Sequence, residues 1–261
     1  MTLQLCDSRV ALPRQRGGVA TSAQRPSAPA IRWWRELGLL AAMYAFYLLA
    51  RAQITLDPTG AMSAGRAVLK VEAALGLDIE QGVNAVLHTA PLLAVAAAYV
   101  YATLHYLVTP AVLGWLAVRH RAGYRTARNA LLVASVLGLI GFWLLPTAPP
   151  RLLGTGFADT MAVFSGYGWW GEAASAPRGM EGLSNQYAAM PSLHVGWAVW
   201  VAVQLRGNST RAVVRRWAWT SPALTTLVVV ATANHYVLDA VAGAAVAIAG
   251  QAVAARVQHS R

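Results

Sequence analysis

Long apolar segments, separated by short stretches that carry arginine, constrain this chain more than any other feature. A helix that crosses a bilayer needs about 20 apolar residues. Only 12% of the residues are charged, whereas a soluble domain has roughly 25%. Such a shortfall is typical of membrane proteins, because charge is costly in hydrocarbon. We therefore predict an all-α, polytopic bundle of six transmembrane helices at residues 37–56, 92–118, 129–145, 188–205, 217–233 and 236–255.

The remaining segments divide the rest of the chain. Residues 61–88 mix apolar and charged side chains, are too polar to span a bilayer, and predict one or two amphipathic helices at the interface. Residues 1–31 lack apolar periodicity and predict a disordered, basic cytoplasmic tail. Residues 32–256 then form a single transmembrane domain. A cleaved signal peptide is the less favoured alternative, because the first apolar run begins only at Leu37.

The distribution of arginine orients these spans. With the N-terminus in the cytoplasm, sixteen of the 21 lysine and arginine residues fall on the cytoplasmic side, as the positive-inside rule requires. We therefore predict a multi-pass protein of the cell membrane with both termini cytoplasmic. The basic residues orient the helices, so the net charge of +11 does not predict a nucleic-acid partner. The bilayer and a membrane lipid are the expected partners, and the oligomeric state is left open.

A histidine and an aspartate four residues apart, His235 and Asp239, begin the last predicted span. Residues at i and i+4 share one face of a helix, so the carboxylate is expected to hydrogen-bond the imidazole ring. That contact selects one tautomer and raises the basicity of the other ring nitrogen. A histidine prepared in this way acts as a general base, a metal ligand or a nucleophile.

A second histidine, His194, follows Pro191 and Ser192 at the start of the fourth span. Proline at the first helical position is a helix-start signal. The N–H groups of residues 192–194 and the Ser192 hydroxyl then form a predicted anion site. Arg151, after two prolines, is suited to bind phosphate through its guanidinium. The predicted topology sends Arg151, His194, His235 and Asp239 to the same, non-cytoplasmic face.

These residue types predict phosphoryl transfer rather than metal-dependent hydrolysis. No cluster of carboxylates for magnesium is evident. A zinc ion held by two histidines and an aspartate is the alternative. We expect no metal and no other cofactor.

The motifs resemble those of the type 2 phosphatidic acid phosphatase superfamily, over roughly residues 60–250. The second motif of that superfamily, Pro-Ser-Gly-His, appears as residues 191–194, and the His-x3-Asp part of its third motif appears as His235 and Asp239. The stretch LPTAPPRL at 145–152 resembles the first motif in the branch of inositol phosphotransferases and inositol-phosphorylceramide synthases. It supplies Arg151.

The departures from the superfamily pattern concern its phosphate-binding cations. The positions of its lysine and of its Ser-Arg pair are Leu144, Val228 and Val229 here, and Leu152 replaces a proline. We interpret these replacements as a marker of the inositol-phosphotransferase-like branch. Candidates to compensate are His105, Arg178 and residues 185–187. Tyr187 is thus retained as a candidate substrate-binding residue, although shaping the loop is its simpler interpretation.

The resemblance implies an enzyme that acts on a phospholipid or lipid phosphate at the outer leaflet. In the implied mechanism, His235 attacks phosphorus, Asp239 orients it, and His194 serves as general acid and base. Arg151 and Ser192 bind the phosphoryl oxygens. Two reactions stay open: hydrolysis, and transfer of a headgroup such as inositol phosphate to a lipid hydroxyl. A non-catalytic lipid carrier or assembly protein is the alternative of another class.

Overall fold

The computed structural model describes residues 32–53, 57–154, 156–171, 176–179 and 185–259. Throughout this part of the chain the regular structure is helical, which confirms the all-α prediction. The predicted tail at 1–31 lies outside the described residues. The α-helices are α1 Trp33–Gln53, α2 Pro58–Leu75, α3 Glu80–His88, α4 Pro91–Arg119, α5 Arg121–Leu144, α6 Thr160–Val163, α7 Leu193–Asn208, α8 Ala212–Trp217, α9 Thr220–Ala231 and α10 Val237–His259.

Within the described residues, three helices are long and apolar enough to cross a membrane, namely α4, α5 and α10. The other predicted spans correspond to α1, α7 and α9, of which α7 has 16 residues and α9 has 12. The count of six spans therefore stays a prediction. Helix α7 begins five residues later than its predicted span, because the residue before Pro191 is disfavoured in helical conformation and residues 188–192 remain outside the helix.

The predicted amphipathic segment forms two helices, α2 and α3. Asp57 caps α2 by accepting the N–H of Thr59 at 2.9 Å, and Pro58 occupies the first turn, where its missing N–H is harmless. Gly76 ends α2 in the left-handed conformation, at φ 67°, which glycine adopts without strain. Both helices lie before the first of the long apolar helices.

Glycines bring α10 into close contact with its neighbours α5 and α7. A methyl group added at Gly243 would lie 2.1 Å from the carbonyl oxygen of Ser192, and one added at Gly250 would lie 2.6 Å from that of Ala130. Small residues permit such close approach of helices. The crossing at Gly243 places the start of α7 beside the start of α10, and thereby fixes the distance between their histidines.

The ends of three helices meet at one end of the bundle. Helix α5 leads into the stretch that carries Arg151, whose backbone N–H donates to the carbonyl of Ala233 just before α10. Arg121 begins α5, so the arginine cluster at that end lies about 36 Å away, at 1.5 Å per residue. The candidate site and this basic cluster therefore occupy opposite ends of the bundle.

Candidate active site

The turn between α9 and α10 presents His235. Ala233 has a φ of 57°, and the N–H groups of Asn234 and His235 both donate to the carbonyl of Val229. His235 therefore lies just before α10 and not within it. The predicted contact with Asp239 is present nonetheless, with 3.2 Å between Nδ1 of the ring and Oδ2 of the carboxylate. The same Oδ2 accepts the N–H of Tyr236 at 3.0 Å.

Two acceptors select the tautomer of His235. Nδ1 also lies 2.9 Å from the carbonyl oxygen of Ala189, on the segment that precedes α7. A carbonyl only accepts hydrogen bonds, so Nδ1 carries the proton and Nε2 carries the lone pair. The residue is 4% exposed and Asp239 is fully buried. The ring is thus held on one side and presents a single reactive nitrogen.

His194 lies in the first turn of α7 and faces His235. The two ring centroids are 5.5 Å apart. The ring of His194 stacks on Tyr101 at 4.7 Å and meets His105 edge-on at 4.4 Å. Helix α4 therefore supplies the wall that orients His194.

The start of α7 differs in detail from the sequence expectation. Pro191 is not the first helical residue, because Ser192 is the N-cap and α7 begins at Leu193. The Ser192 hydroxyl accepts the N–H of Val195 at 3.5 Å. The backbone N–H of Ser192, a predicted anion donor, donates instead to the carbonyl of Asp239 at 2.9 Å. Ser192 is fully buried. Its role as a phosphate ligand stays a prediction.

Arg151 is held by two residues that the sequence analysis did not identify. Its Nη1 donates to Asp159 at 2.8 Å, and its Nε donates to Asn234 at 3.1 Å. The side chain is 1% exposed. Asn234 could have been selected as the sequence neighbour of His235. Asp159 is the N-cap of the short helix α6, and no motif in the sequence connects it with Arg151. These contacts fix the plane of the guanidinium next to His235.

One cavity gathers most of the predicted site. Arg151, His194, His235 and His105 all line it, together with Asn185 and Gln186. Asp239 and Ser192 lie behind its wall. Tyr187 instead packs into the apolar cluster around Ala148 and Tyr236, and its role as a substrate ligand stays a prediction. The guanidinium of Arg178 donates to the carbonyl of Ser165 and does not line this cavity.

Two buried glutamates that contact the start of α10 were also not identified from the sequence. Glu72 and Glu80 lie on the amphipathic helices α2 and α3, and are 0% and 1% exposed. Glu72 accepts the N–H of Leu238, and Glu80 accepts that of Val237. Burial, reinforced by Glu80, raises the pKa of the Glu72 carboxyl from 4.5 to about 8.

The residues that replace the phosphate-binding cations of the superfamily pattern are apolar. Val228 and Val229 belong to the buried core and line a second, apolar cavity that His194 also borders, and no lysine or arginine is among the described residues that line it. Leu144 is 66% exposed at the end of α5. In the part of the chain that the structure describes, no three His, Cys, Asp or Glu side chains are grouped as metal ligands.

Fold and site together define a class: an apolar helical bundle, compatible with a membrane protein, in which two histidines, an aspartate and an arginine meet at one cavity. A model of the PAP2 superfamily matches residues 66–253. The chain belongs to this superfamily, whose members are generally phosphatases. The match contains all seven residues that the sequence analysis selected. Neither a search of curated proteins nor a search of solved structures returned a significant match.

Proposed function

We propose that this protein is an integral membrane enzyme that removes or transfers the phosphoryl group of a lipid phosphate through a covalent phosphohistidine at His235. The observation that carries the proposal is the double anchoring of Nδ1 by Ala189 and Asp239. It leaves Nε2 as the nitrogen with a lone pair, in a ring that borders the same cavity as His194 and Arg151.

In the first step, Nε2 of His235 attacks phosphorus and the bond from phosphorus to the lipid oxygen breaks. His194 donates a proton to that oxygen as it leaves. Asp239 stabilises the positive charge that develops on the attacking ring. Arg151 has guanidinium N–H groups beyond those bound to Asn234 and Asp159, and these stabilise the phosphoryl oxygens in the transition state.

In the second step, water or an alcohol attacks the phosphohistidine. His194, now neutral, removes the proton from the attacking oxygen. The bond between phosphorus and Nε2 breaks, and His235 returns to its starting tautomer. Water gives inorganic phosphate, whereas a lipid hydroxyl gives a new phosphoester.

An apolar cleft beside the cavity supports a lipid as the substrate. The cleft, of about 210 Å³, lies between α1, α4, α5 and α7. It shares His105, Tyr106 and Trp197 with the catalytic cavity. Its remaining wall is largely apolar, with Leu40, Met43 and Leu131 among the lining residues. A phosphate at His235 would thus have a path for its hydrocarbon chain.

The test is an assay of the purified protein in detergent, with radiolabelled lipid phosphates and phosphatidylinositol and without added metal. We expect release or transfer of phosphate by the native protein and a loss of more than 10³-fold in His235→Ala. The matched control is His120→Ala, because His120 packs against Trp115 at the α4–α5 junction, with 4.5 Å between the ring centroids, remote from the cavity. Equal activity of the two variants, or no product from any lipid, would contradict the proposal. Strict dependence on zinc after EDTA treatment would overturn the phosphohistidine mechanism.

A headgroup transferase of the inositol-phosphotransferase-like branch is the second candidate. The observation that favours it is the replacement of the superfamily cations by Leu144, Val228 and Val229. Adding a lipid with a free hydroxyl to the assay discriminates between the two: a transferase converts it to a phosphoester, and a phosphatase releases inorganic phosphate at an unchanged rate.

We also propose that six helices, α1, α4, α5, α7, α9 and α10, cross the membrane with the cavity on the non-cytoplasmic side. The separation of the cavity from the arginines at the far ends of α4, α5 and α7 supports this orientation, because basic residues favour the cytoplasmic side. In this arrangement α2 and α3 lie at the outer interface.

A further inference from the structure

Three carboxylates accept the backbone N–H groups at the start of the helix that follows His235. Glu72 Oε1 accepts the N–H of Leu238 at 2.7 Å, Glu80 Oε1 accepts that of Val237 at 3.1 Å, and Asp239 accepts that of Tyr236. The first N–H groups of a helix have no partner within the helix, and negative charge is favourable there. Each of the three N–H groups thus has its own carboxylate.

Two of these carboxylates come from outside α10. Glu72 lies 166 residues and Glu80 lies 157 residues from its partner in sequence. Through them, α2 and α3 are attached to the residues that directly follow His235. Tyr236 adds a further contact, because its hydroxyl donates to the carbonyl of Ala148 at 2.6 Å.

Glu72 differs from Glu80 in that one of its carboxylate oxygens has no donor. Oε2 of Glu72 is buried and has no hydrogen-bond partner within the described residues, and burial together with the neighbouring Glu80 raises the pKa of the Glu72 carboxyl to about 8. The Glu72 carboxyl therefore keeps its proton at pH 7. The charged and titratable groups around the pair are Asp239 and Tyr236 on α10 and Arg66 on α2.

We propose that Glu72 and Glu80 are positioning residues for the phosphoryl transfer, and that by accepting the N–H groups of Leu238 and Val237 they hold the first turn of α10, and with it the ring of His235, in the reactive orientation. This inference rests on the proposed function. A negative charge on Glu72 would repel both Glu80 and Asp239, because all three carboxyl groups are buried. The turn that presents His235 would then loosen, while the bond from Arg151 to Asp159, which lies outside this turn, remains.

The test compares Glu72→Ala with Glu72→Gln. The glutamine amide accepts the N–H of Leu238 and donates to Glu80 without titrating. We expect Glu72→Ala to lower kcat roughly tenfold with little change in KM, and Glu72→Gln to restore most of that loss. In the native protein kcat is expected to fall as the pH rises through about 8, and in Glu72→Gln that fall is expected to disappear.

Asp57→Ala is the matched structural control. Asp57 caps the same helix, α2, but bonds only its own first turn among the described contacts. We expect kcat of Asp57→Ala to stay near the native value. A tenfold loss in this variant, or an equal loss in Glu72→Gln and Glu72→Ala, would overturn the positioning role.

Two spectroscopic measurements test the pair without a substrate. Infrared spectra of the native protein at pH 7 are expected to show a protonated buried carboxyl that is absent in Glu72→Gln. Spectra of ¹⁵N-histidine are expected to show the same sharp His235 signal in the native protein and in Glu72→Gln, and a broadened, shifted signal in Glu72→Ala. Absence of the carboxyl signal, or an unchanged His235 signal in Glu72→Ala, refutes this inference. Absence of any lipid product with both signals intact refutes the proposed function alone.

Discussion

At the scale of single residues, the site depends on which acceptors surround Nδ1 of His235. In serine proteases, replacing the aspartate that orients the catalytic histidine costs about 10⁴-fold in kcat, because the tautomer is lost. Here the carbonyl of Ala189 lies closer to Nδ1 than the carboxylate of Asp239 does. The backbone therefore shares the task of selecting the tautomer.

For Asp239→Asn we accordingly expect a moderate loss. The amide oxygen can take the position of Oδ2 and accept from both His235 and Tyr236, but the negative charge that stabilises the developing imidazolium is gone. We expect kcat to fall roughly 10- to 100-fold, less than the loss seen where the tautomer changes. Steady-state kinetics measure this loss in kcat. A loss as large as that of His235→Ala would mean that the carbonyl of Ala189 does not fix the tautomer of His235.

Substitutions of Ala233 test whether the backbone of the turn before His235 is strained. A non-glycine residue at its φ of 57° costs roughly 1–2 kcal/mol. Glycine removes this strain but loses a buried methyl group of about 0.8 kcal/mol, so Ala233→Gly should stay within about 1 kcal/mol of the native stability. Ala233→Val, β-branched at positive φ, should lose at least about 2 kcal/mol. Thermal unfolding in detergent measures both, and equal stability of the two variants would contradict the strain.

At the scale of helices, the close crossing of α7 and α10 sets the spacing of the two histidines. The closest approach is at Gly243, whose Cα hydrogens face the carbonyl of Ser192. Because both partners are backbone, neither can move aside by changing a rotamer. The crossing thus transmits the register of one helix directly to the other.

Gly243→Ala is therefore expected to destabilise the protein by about 1–3 kcal/mol, as overpacking does, and to lower kcat by separating His194 from His235. The matched control is Gly114→Ala on α4, where an added methyl group meets nothing within 4 Å. Alanine there should be neutral or stabilising by up to about 1 kcal/mol. Unfolding and kinetic measurements compare Gly243→Ala with Gly114→Ala. Equal stability and equal kcat of the two variants would rule out the tight crossing.

The attachment of α2 to α10 predicts a pH dependence of stability. The pKa of Glu72 is raised from 4.5 to about 8 in the folded protein, so the folded state binds more protons than the unfolded state between these values. Stability therefore falls as the pH rises from about 4.5 to 8 and levels off above. Unfolding measured across this range should show the decline in the native protein and a smaller one in Glu72→Gln. Parallel profiles for the two proteins would contradict the raised pKa.

At the scale of the whole molecule, the site occupies one end of a bundle whose other end is basic. Two exposed glycines test the orientation, because added side chains at Gly166 and Gly207 meet nothing within 4 Å. In a Cys6→Ser background, which removes the single native cysteine, Gly166→Cys should react with an impermeant thiol reagent in intact cells. Gly207→Cys should react only after permeabilisation, and the reverse result would invert the proposed topology.

The sequence by itself determined the helical class, the apolar segments and the pairing of His235 with Asp239. These features are local: hydrophobic runs, charge at their ends, and a spacing of four residues. The family resemblance through residues 191–194 and His235 was likewise confirmed at the level of the superfamily.

Only the tertiary structure decided the partners of Arg151 and the burial of Glu72 and Glu80. A glutamate on an amphipathic helix has the same sequence pattern whether it faces water or another helix. Its burial depends on Val237 and Leu238, more than 150 residues away, and no local pattern encodes that distance. The sequence thus supplied the residues of the candidate site, and long-range packing defined what holds them in place.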